Sequence, residues 1–258
     1  MDGIVLGVTS VDNELFLLLN RDENQVAVYS INDYKLLRHL DLPGFKTTGD
    51  SDMTSCVLYK CLYMSDNCDR CIHRYDLSSS YTSKWRLRGR PLGLSVTRFC
   101  TLLVVCRSKP NKLVELSIES GEYIREIALP PDIVGSRHSI QLFIGQFVVC
   151  QGDWGWRHFL HRVFVVRVNG EVTNSYGGNW GSDVGQLNSP CHLAVDGDSH
   201  CIFVAEYRNS RVVLLSHTLE FIRYVGGELL YPCQVYFHQN TRRLFVGHWV
   251  GGVSVIQL

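Results

Sequence analysis

Short apolar runs separated by turn-forming residues recur along the whole chain. They are clearest between Ser189 and Val225, where four runs of about five residues alternate with Gly, Asp, Asn and Ser. Runs of this length with turn chemistry between them predict a meander of four antiparallel strands. The four runs are Cys191–Val195, Cys201–Glu206, Arg211–Ser216 and Glu220–Val225.

The rest of the sequence resembles degraded copies of this unit. A repeat of about 40–50 residues with four strands is typical of a β-propeller blade. The spacing therefore predicts an all-β fold in which residues 1–258 form a single domain of six four-stranded antiparallel blades. A seven-bladed ring whose missing blade lies outside this chain is the alternative. The predicted blades span about 4–44, 45–90, 91–135, 136–188, 189–227 and 228–258.

Several strands are apolar at every position rather than at alternate ones, as in Leu15–Leu19 and His200–Ala205. Continuous apolar runs indicate strands buried on both faces, which radial packing between blades provides. The final copy has three runs and ends with Gly252–Gln257. We therefore expect a three-stranded last blade, or a fourth strand contributed by a longer parent protein.

The fifth copy resembles the NHL repeat. Its run Leu193–Asp196 ends in an acid, and Ile202–Glu206 is followed by an Asn-x-Arg pattern, with Glu206 where the family prefers Asp. The resemblance is specific over this blade, whereas only the spacing is retained in the others. It implies a propeller like those at the C-terminal end of tripartite-motif ubiquitin ligases, which capture RNA or protein. The signature residues are Pro190, Asp196, Glu206, Asn209 and Arg211.

These signature residues are expected to be structural. An acid that ends one strand and an Arg that opens the next can pair across a tight turn. A ligand site at Glu206, Asn209 and Arg211 is the less favoured interpretation. The Gly-rich segment before Pro190 precedes a strand and not a helix, so we interpret it as a connection between blades rather than a phosphate site.

The amino-acid composition excludes few classes of function. The 258 residues carry 25 basic and 25 acidic side chains, so the formal net charge is zero and does not indicate a nucleic-acid or membrane partner. No signal peptide or membrane span is visible, and we expect a cytoplasmic protein that does not bind a membrane. Its ten cysteines are then expected to be reduced.

Four cysteines, Cys56, Cys61, Cys68 and Cys71, are spaced like zinc ligands. In the predicted blade the two pairs lie at opposite ends of a strand, too far apart for one zinc ion. A redox or metal role for Cys68 and Cys71 alone stays open beside the simpler interpretation as turn and core cysteines.

Charged residues are unevenly distributed among the blades on one face of the predicted propeller. The second-to-third-strand turns and the connections between blades surround one mouth of the channel, and this loop face commonly carries function in propellers. The first two blades place acids there, including Asp50 and Asp52. Blades three to five place cationic or titratable residues there, namely Arg90, Arg107, Lys109, Lys112, Arg137, His138, Arg157, His158, His161, Arg162, Arg208 and Arg211.

The longest loop insertion, residues 152–161, lies on the same face and contains Trp154 and Trp156. Bases could stack on the two indoles while Arg157 and Arg162 contact phosphates, and an acidic peptide could use the same chemistry. Alternatively, the loop folds its aromatic side chains over the blade edge as a local cap.

Catalysis is the weakest of the three function classes. Six-bladed lyases and esterases place histidines and acids around the channel, and His138, His192 and His248 are the candidates here. We expect no inward-facing carboxylate beside them, and no nucleophile elbow or HExxH motif is present. The sequence thus predicts a non-catalytic platform, without metal or cofactor, for RNA or an acidic protein. A purely protein-binding scaffold or ubiquitin ligase recruitment module is the first alternative, and a metal-dependent lyase or hydrolase is the second.

Overall fold

The computed structural model describes residues 3–20, 25–152 and 160–258. Within these ranges the regular elements are β-strands, because the sequence supplies apolar runs of strand length bounded by turn residues. None of the described segments forms a helix of the length and apolarity needed to cross a bilayer.

The first three blades are antiparallel four-stranded meanders in which strand order follows the chain. Blade one contains β1 (Ile4–Val11), β2 (Glu14–Asn20), β3 (Gln25–Ser30) and β4 (Leu36–Asp41). Blade two contains β5 (Met53–Cys56), β6 (Cys61–Asp66), β7 (Cys71–Asp76) and β8 (Thr82–Arg86). Blade three contains β9 (Arg90–Val96), β10 (Thr101–Arg107), β11 (Lys112–Ser117) and β12 (Tyr123–Ala128).

The last three blades repeat this plan, with one strand fewer at the end. Blade four contains β13 (Ser136–Phe143), β14 (Gln146–Gln151), β15 (His161–Arg167) and β16 (Val172–Gly178). Blade five contains β17 (Pro190–Val195), β18 (Ile202–Glu206), β19 (Arg211–Leu215) and β20 (Phe221–Val225). Blade six contains β21 (Pro232–His238), β22 (Arg243–His248) and β23 (Val253–Gln257).

The innermost strand of each blade contacts the innermost strands of its two neighbours. This chain of contacts runs from β1 through β5, β9, β13 and β17 to β21, and β21 contacts β1. The ring is therefore closed with six blades, which confirms the predicted fold and excludes the seven-bladed alternative. The three-stranded last blade is confirmed as well.

The core lies between the blades and not within them. One cluster of buried apolar side chains fills each interface among the described residues, for example Phe16 and Leu18 of blade one against Met64 of blade two. Phe245 of blade six packs with Leu17 of blade one and closes the ring. Both faces of each blade are thus covered, which is the physical reason that β2 and β18 lack alternation.

The centre of the ring is narrow because glycines let the inner strands approach closely. A Cβ atom on Gly93 would lie 2.5 Å from the carbonyl oxygen of Arg137, and a Cβ on Gly7 would lie 2.5 Å from Cβ of Met53. Neither position has room for a side chain without a shift of its neighbours. The channel therefore narrows to a throat, and cavities remain on either side of it.

Candidate functional site at the mouth and throat of the channel

Three polar side chains from different blades meet in the throat. Asp52 immediately precedes β5, His138 lies on β13 and His192 lies on β17. All three are buried, and the two imidazole rings stack with centroids 3.7 Å apart and planes inclined by 27°. Asp52 Oδ2 lies 3.7 Å from His138 Nε2, and its Oδ1 lies 3.4 Å from His192 Nε2. We call these three residues the throat cluster.

A shared backbone irregularity aims two of these side chains inward. The pairing register of the innermost strand shifts between Ser136 and His138 in blade four and between Pro190 and His192 in blade five. The corresponding shift in blade six precedes Gln234. Such β-bulges redirect a side chain relative to the sheet, and His138, His192 and Gln234 all line the throat.

Backbone groups hold the Asp52 carboxylate firmly. The N–H of Leu94 donates to Oδ2 at 2.7 Å, and the N–H of Met53 donates to Oδ1 at 2.8 Å. Burial raises the pKa of Asp52, but contact with His192 and the hydrogen bond from the Leu94 N–H outweigh burial, so the net shift is downward. Asp52 is therefore ionised at neutral pH.

The two histidines are incompletely satisfied. His138 Nε2 lies 3.0 Å from the carbonyl oxygen of Leu94, while its Nδ1 is buried without a hydrogen-bond partner. The N–H of Val235 approaches His192 Nδ1 at 3.4 Å, and His192 Nε2 forms no regular hydrogen bond despite its proximity to Asp52. Burial, followed by the neighbouring His192, lowers the pKa of His138 to about 3. His138 is therefore neutral at physiological pH.

The throat cluster corrects two expectations from the sequence. The expected lack of an inward-facing carboxylate was wrong, because Asp52 contacts both His138 and His192. His248 does not join them. It lies on β22, the second strand of blade six, where its ring nitrogens contact the carbonyl oxygen of Leu230 and Oγ of Ser254.

A cavity of about 550 Å³ opens above the throat on the loop face. Its size is within the range of ligand pockets in proteins. The rings of Tyr207 and Trp249 pack edge to face, with their centroids 6.0 Å apart. Arg90 and Arg208, which are both exposed, line the same cavity. We call this the mouth pocket, and its lining residues are Thr48, Gly49, Asp50, Asn67, Arg90, Tyr207, Arg208 and Trp249.

The mouth pocket leads down to the throat. Gly49, Asp50 and Trp249 line both the mouth pocket and a smaller cavity of about 40 Å³ whose lining includes the throat cluster. On the far side of His138 and His192, a further cavity of about 230 Å³ has a mixed lining of apolar residues and hydroxyl residues such as Thr9 and Ser95. The throat cluster thus separates the two ends of the channel.

Several of the predicted basic residues form ion pairs with carboxylates. Asp50 accepts a hydrogen bond from Arg137 and lies 3.7 Å from Arg107, so this one acid pairs with two of the basic residues. Two further pairs are Lys112 with Glu126 at 2.7 Å, and Arg162 with Asp132 at 3.4 Å.

The remaining predicted site residues have separate locations. His161 is buried, and its Nδ1 accepts the N–H of Ser189 at 2.8 Å. Arg90, Lys109 and Arg208 are exposed on the loop face. Trp154, Trp156, Arg157 and His158 lie outside the described residues. Among the described residues, the structure therefore gathers only Arg90 and Arg208 of the predicted cations at the mouth pocket.

The signature residues of blade five tie a turn to the preceding connection. Arg211 and the side chain of Asn209 both donate to the buried carboxylate of Glu206, and the N–H of Asn188 donates to it at 2.6 Å. Arg211 also donates to the carbonyl oxygen of Ser182 at 2.7 Å. Burial raises the pKa of Glu206, although Arg211 opposes that shift. These contacts make the Gly-rich segment part of the blade-five scaffold.

The equivalent turn in blade two uses a different partner. Asp66 occupies the position of Glu206, but Cys71 stands where blade five has Arg211, and His73 Nε2 instead lies 3.3 Å from Asp66 Oδ2. Asp66, Cys71 and His73 have donor atoms close enough together for a metal ion. Cys68 is exposed, and all ten cysteines are free thiols. Burial raises the pKa of Cys71 to about 11.

Comparison with known proteins defines the class as a six-bladed β-propeller. No family model matches the chain, and no curated protein matches it. Among solved structures, a protein of unknown function from Bacteroides thetaiotaomicron is similar with a TM-score of 0.76 and 14% identity, covering 99% of this chain and 70% of that one.

Two further solved structures share this architecture. Kuenenia stuttgartiensis hydrazine synthase has a TM-score of 0.70 and 14% identity, covering 100% of this chain and 96% of that one. A protein of unknown function from Bacteroides caccae has a TM-score of 0.68 and 14% identity, covering 91% and 82% of the two chains. At this identity the similarities show the fold alone.

Proposed function

We propose that this propeller is a non-catalytic binding platform that captures an acidic segment of a partner protein in the mouth pocket. The observation that carries the proposal is the composition of that pocket. Two exposed guanidinium groups, those of Arg90 and Arg208, lie with the aromatic rings of Tyr207 and Trp249 around a cavity of about 550 Å³. Aromatic and Arg side chains are the residue types that contribute most to protein recognition.

An acidic peptide fits this surface better than RNA does. RNA binding requires a track of cations that can neutralise successive phosphates. Arg107, Arg137, Lys112 and Arg162 each face a carboxylate, so their charges are already partly compensated. The mouth pocket, where Arg90 and Arg208 lie beside aromatic rings, suits one or two carboxylate side chains and an apolar neighbour that packs against those rings.

The NHL resemblance of blade five supports a recognition role for the loop face, and recruitment within a ubiquitin ligase assembly is compatible with it. We favour binding over catalysis because the Asp52 carboxylate is held by two backbone N–H groups and lies against a cavity of only about 40 Å³. An enzyme would instead need a nucleophile or general base presented to a substrate.

The proposal is tested by measuring fluorescence anisotropy with two labelled probes, a short peptide alternating Glu and Tyr and a short oligouridine RNA. We expect the peptide to bind, and Arg90→Glu to weaken it about tenfold, equivalent to about 1.4 kcal/mol. Arg98→Glu is the matched control, because Arg98 is equally exposed but lies in the turn after β9, on the opposite face.

Equal loss in Arg90→Glu and Arg98→Glu would point to non-specific charge attraction and contradict the mouth pocket. Tight, strongly salt-dependent binding of the RNA with no binding of the peptide would overturn the acidic-protein proposal in favour of RNA. Because Arg90 makes no ion pair with another described residue, its reversal is expected to leave folding intact.

A further inference from the structure

The throat cluster gathers three buried side chains whose donor atoms are close together and whose polar atoms are incompletely hydrogen-bonded. Among the described residues, the ion-pair contacts of Asp52 are both with the imidazoles of His138 and His192, and His138 Nδ1 and His192 Nε2 are buried without hydrogen-bond partners. A buried carboxylate with incomplete charge compensation is unfavourable unless hydrogen bonds or a cation stabilise it. Two N–H groups supply part of that stabilisation, so a bound cation would supply the rest.

We propose that Asp52, His138 and His192 form a binding site for a divalent transition-metal ion of the zinc class, which ties blades two, four and five together across the channel. Two imidazoles and one carboxylate suit zinc or ferrous iron, whereas calcium and magnesium prefer sets made of oxygen ligands. The site is independent of the mouth pocket proposed above, because it needs neither Arg90 nor Arg208.

The distances between donor atoms match such a site. Ligands at the usual zinc distances stand about 3.4 Å from one another in a tetrahedron. The carboxylate oxygens of Asp52 lie 3.4 Å from His192 Nε2 and 3.7 Å from His138 Nε2. All three donor atoms lie within 4.8 Å of one another. If the two stacked imidazole rings moved apart, these three side chains could occupy three corners of a tetrahedron.

Metal binding requires a change of hydrogen bonding at both rings. A ring that binds through Nε2 carries its proton on Nδ1, so His138 gives up the 3.0 Å contact of Nε2 with Leu94. Its Nδ1, which is buried without a partner, then becomes a donor. His192 Nδ1 faces the N–H of Val235 at 3.4 Å, so that ring must shift slightly when Nδ1 gains a proton.

An ion can reach the cluster from the mouth pocket. The small cavity above the cluster shares Gly49, Asp50 and Trp249 with the mouth pocket, and Asp50 places a carboxylate along the path. This cavity of about 40 Å³ has room for a water molecule, which could serve as a fourth ligand.

The direct test is titration of the untagged, metal-free protein with Co²⁺, whose absorption spectrum reports coordination. We expect tetrahedral Co²⁺ bands that zinc abolishes, a higher unfolding temperature with zinc, and X-ray absorption indicating two imidazoles and oxygen ligands. Asp52→Asn and His192→Gln should each weaken zinc binding at least about a hundredfold. His39→Gln, at an exposed histidine of blade one, should leave binding unchanged.

The second candidate cluster distinguishes this proposal from its main competitor. Asp66, Cys71 and His73 could also hold a metal ion, and thiolate ligation gives Co²⁺ an intense sulfur charge-transfer band. Such a band, together with loss of binding in His73→Gln, would overturn the proposal. Absence of Co²⁺ binding by the wild-type protein would also overturn it, a result that does not depend on whether any variant folds.

Discussion

At the scale of single residues, Glu206 illustrates how a polar signature stabilises a turn. Its carboxylate is fully buried and accepts hydrogen bonds from Arg211, Asn209 and the N–H of Asn188. The Arg211 guanidinium also lies over the Tyr224 ring at 4.2 Å. One cation thus connects β18, β19 and β20 with the segment that enters the blade.

Replacing Arg211 with Ala should destabilise the protein by about 3–5 kcal/mol, because Glu206 would remain buried without its cation. Urea denaturation measures this loss. Arg223→Ala on β20 of the same blade serves as the control and should change stability by less than about 0.5 kcal/mol, since Arg223 is exposed. A loss in Arg211→Ala no larger than in Arg223→Ala would contradict a structural role for the pair.

The pairing of Arg211 with Glu206 could be anticipated from spacing, because both flank a tight turn between adjacent strands. In blade two, which has no Arg at the position of Arg211, the contact of His73 with Asp66 could not be anticipated in this way. His73 lies two residues after Cys71 on the same face of β7, and its contact with Asp66 depends on side-chain direction within a buried hairpin. Sequence spacing identifies the turn but not which side chain completes it.

At the scale of strands and turns, Asp196 connects two blades. It follows β17 of blade five, accepts hydrogen bonds from Oγ of Ser199 at 2.6 Å and the N–H of Asp198 at 3.1 Å, and pairs with Arg242 of blade six at 2.9 Å. Burial raises the pKa of Asp196, but these partners outweigh it and lower the pKa overall. The ionised form is therefore favoured in the folded state.

Asp196→Asn should lower stability by about 1–2 kcal/mol at neutral pH, with allowance for the partial exposure of Arg242. Because the folded-state pKa lies below the unfolded value of about 4, this contribution is present above that pH and is lost as pH falls through the folded pKa. Denaturation curves from about pH 7 to about pH 2 should show the difference in unfolding free energy from wild type narrowing below about pH 4. A difference that stays constant would contradict the ionised pairing.

The bulges of the innermost strands explain why the sequence predicts only part of the throat cluster. His138 and His192 were recognisable as inner-strand histidines, but a bulge before each decides that they face the channel. Asp52 lies just before β5 and was grouped with the acids of the loop face. A bulge adds one residue to one strand, and the pattern of apolar residues in the sequence does not show where this happens.

At the scale of the whole molecule, the described residues close the ring by packing, and none of their strands is shared between the two ends. Phe245 and Tyr236 of blade six pack with blade one, and Oγ of Ser10 hydrogen-bonds the Tyr236 hydroxyl at 2.7 Å. The repeat length and the continuous apolar runs predict this architecture from sequence, because each interface needs two apolar faces. The ion pairs across the loop face were not predictable, since they join residues of different blades.

Asp50 shows this limit most clearly. It precedes blade two, yet its partners Arg107 and Arg137 come from blades three and four across the mouth of the channel. Counting charge by blade therefore overestimates the basic character of the loop face. The geometry of the closed ring replaces a broad basic sector with a smaller pocket that contains Arg90 and Arg208.

Hydrogen–deuterium exchange with and without the acidic Glu-Tyr peptide tests most directly whether the mouth pocket is the binding site. We expect slower exchange on binding in residues 48–50, 67–70, 207–210 and 249–252, which form or adjoin the pocket. Residues 97–100, in a turn on the opposite face, should be unaffected. Protection of residues 97–100 or of the open edge strand β23, with none around the mouth pocket, would contradict the account.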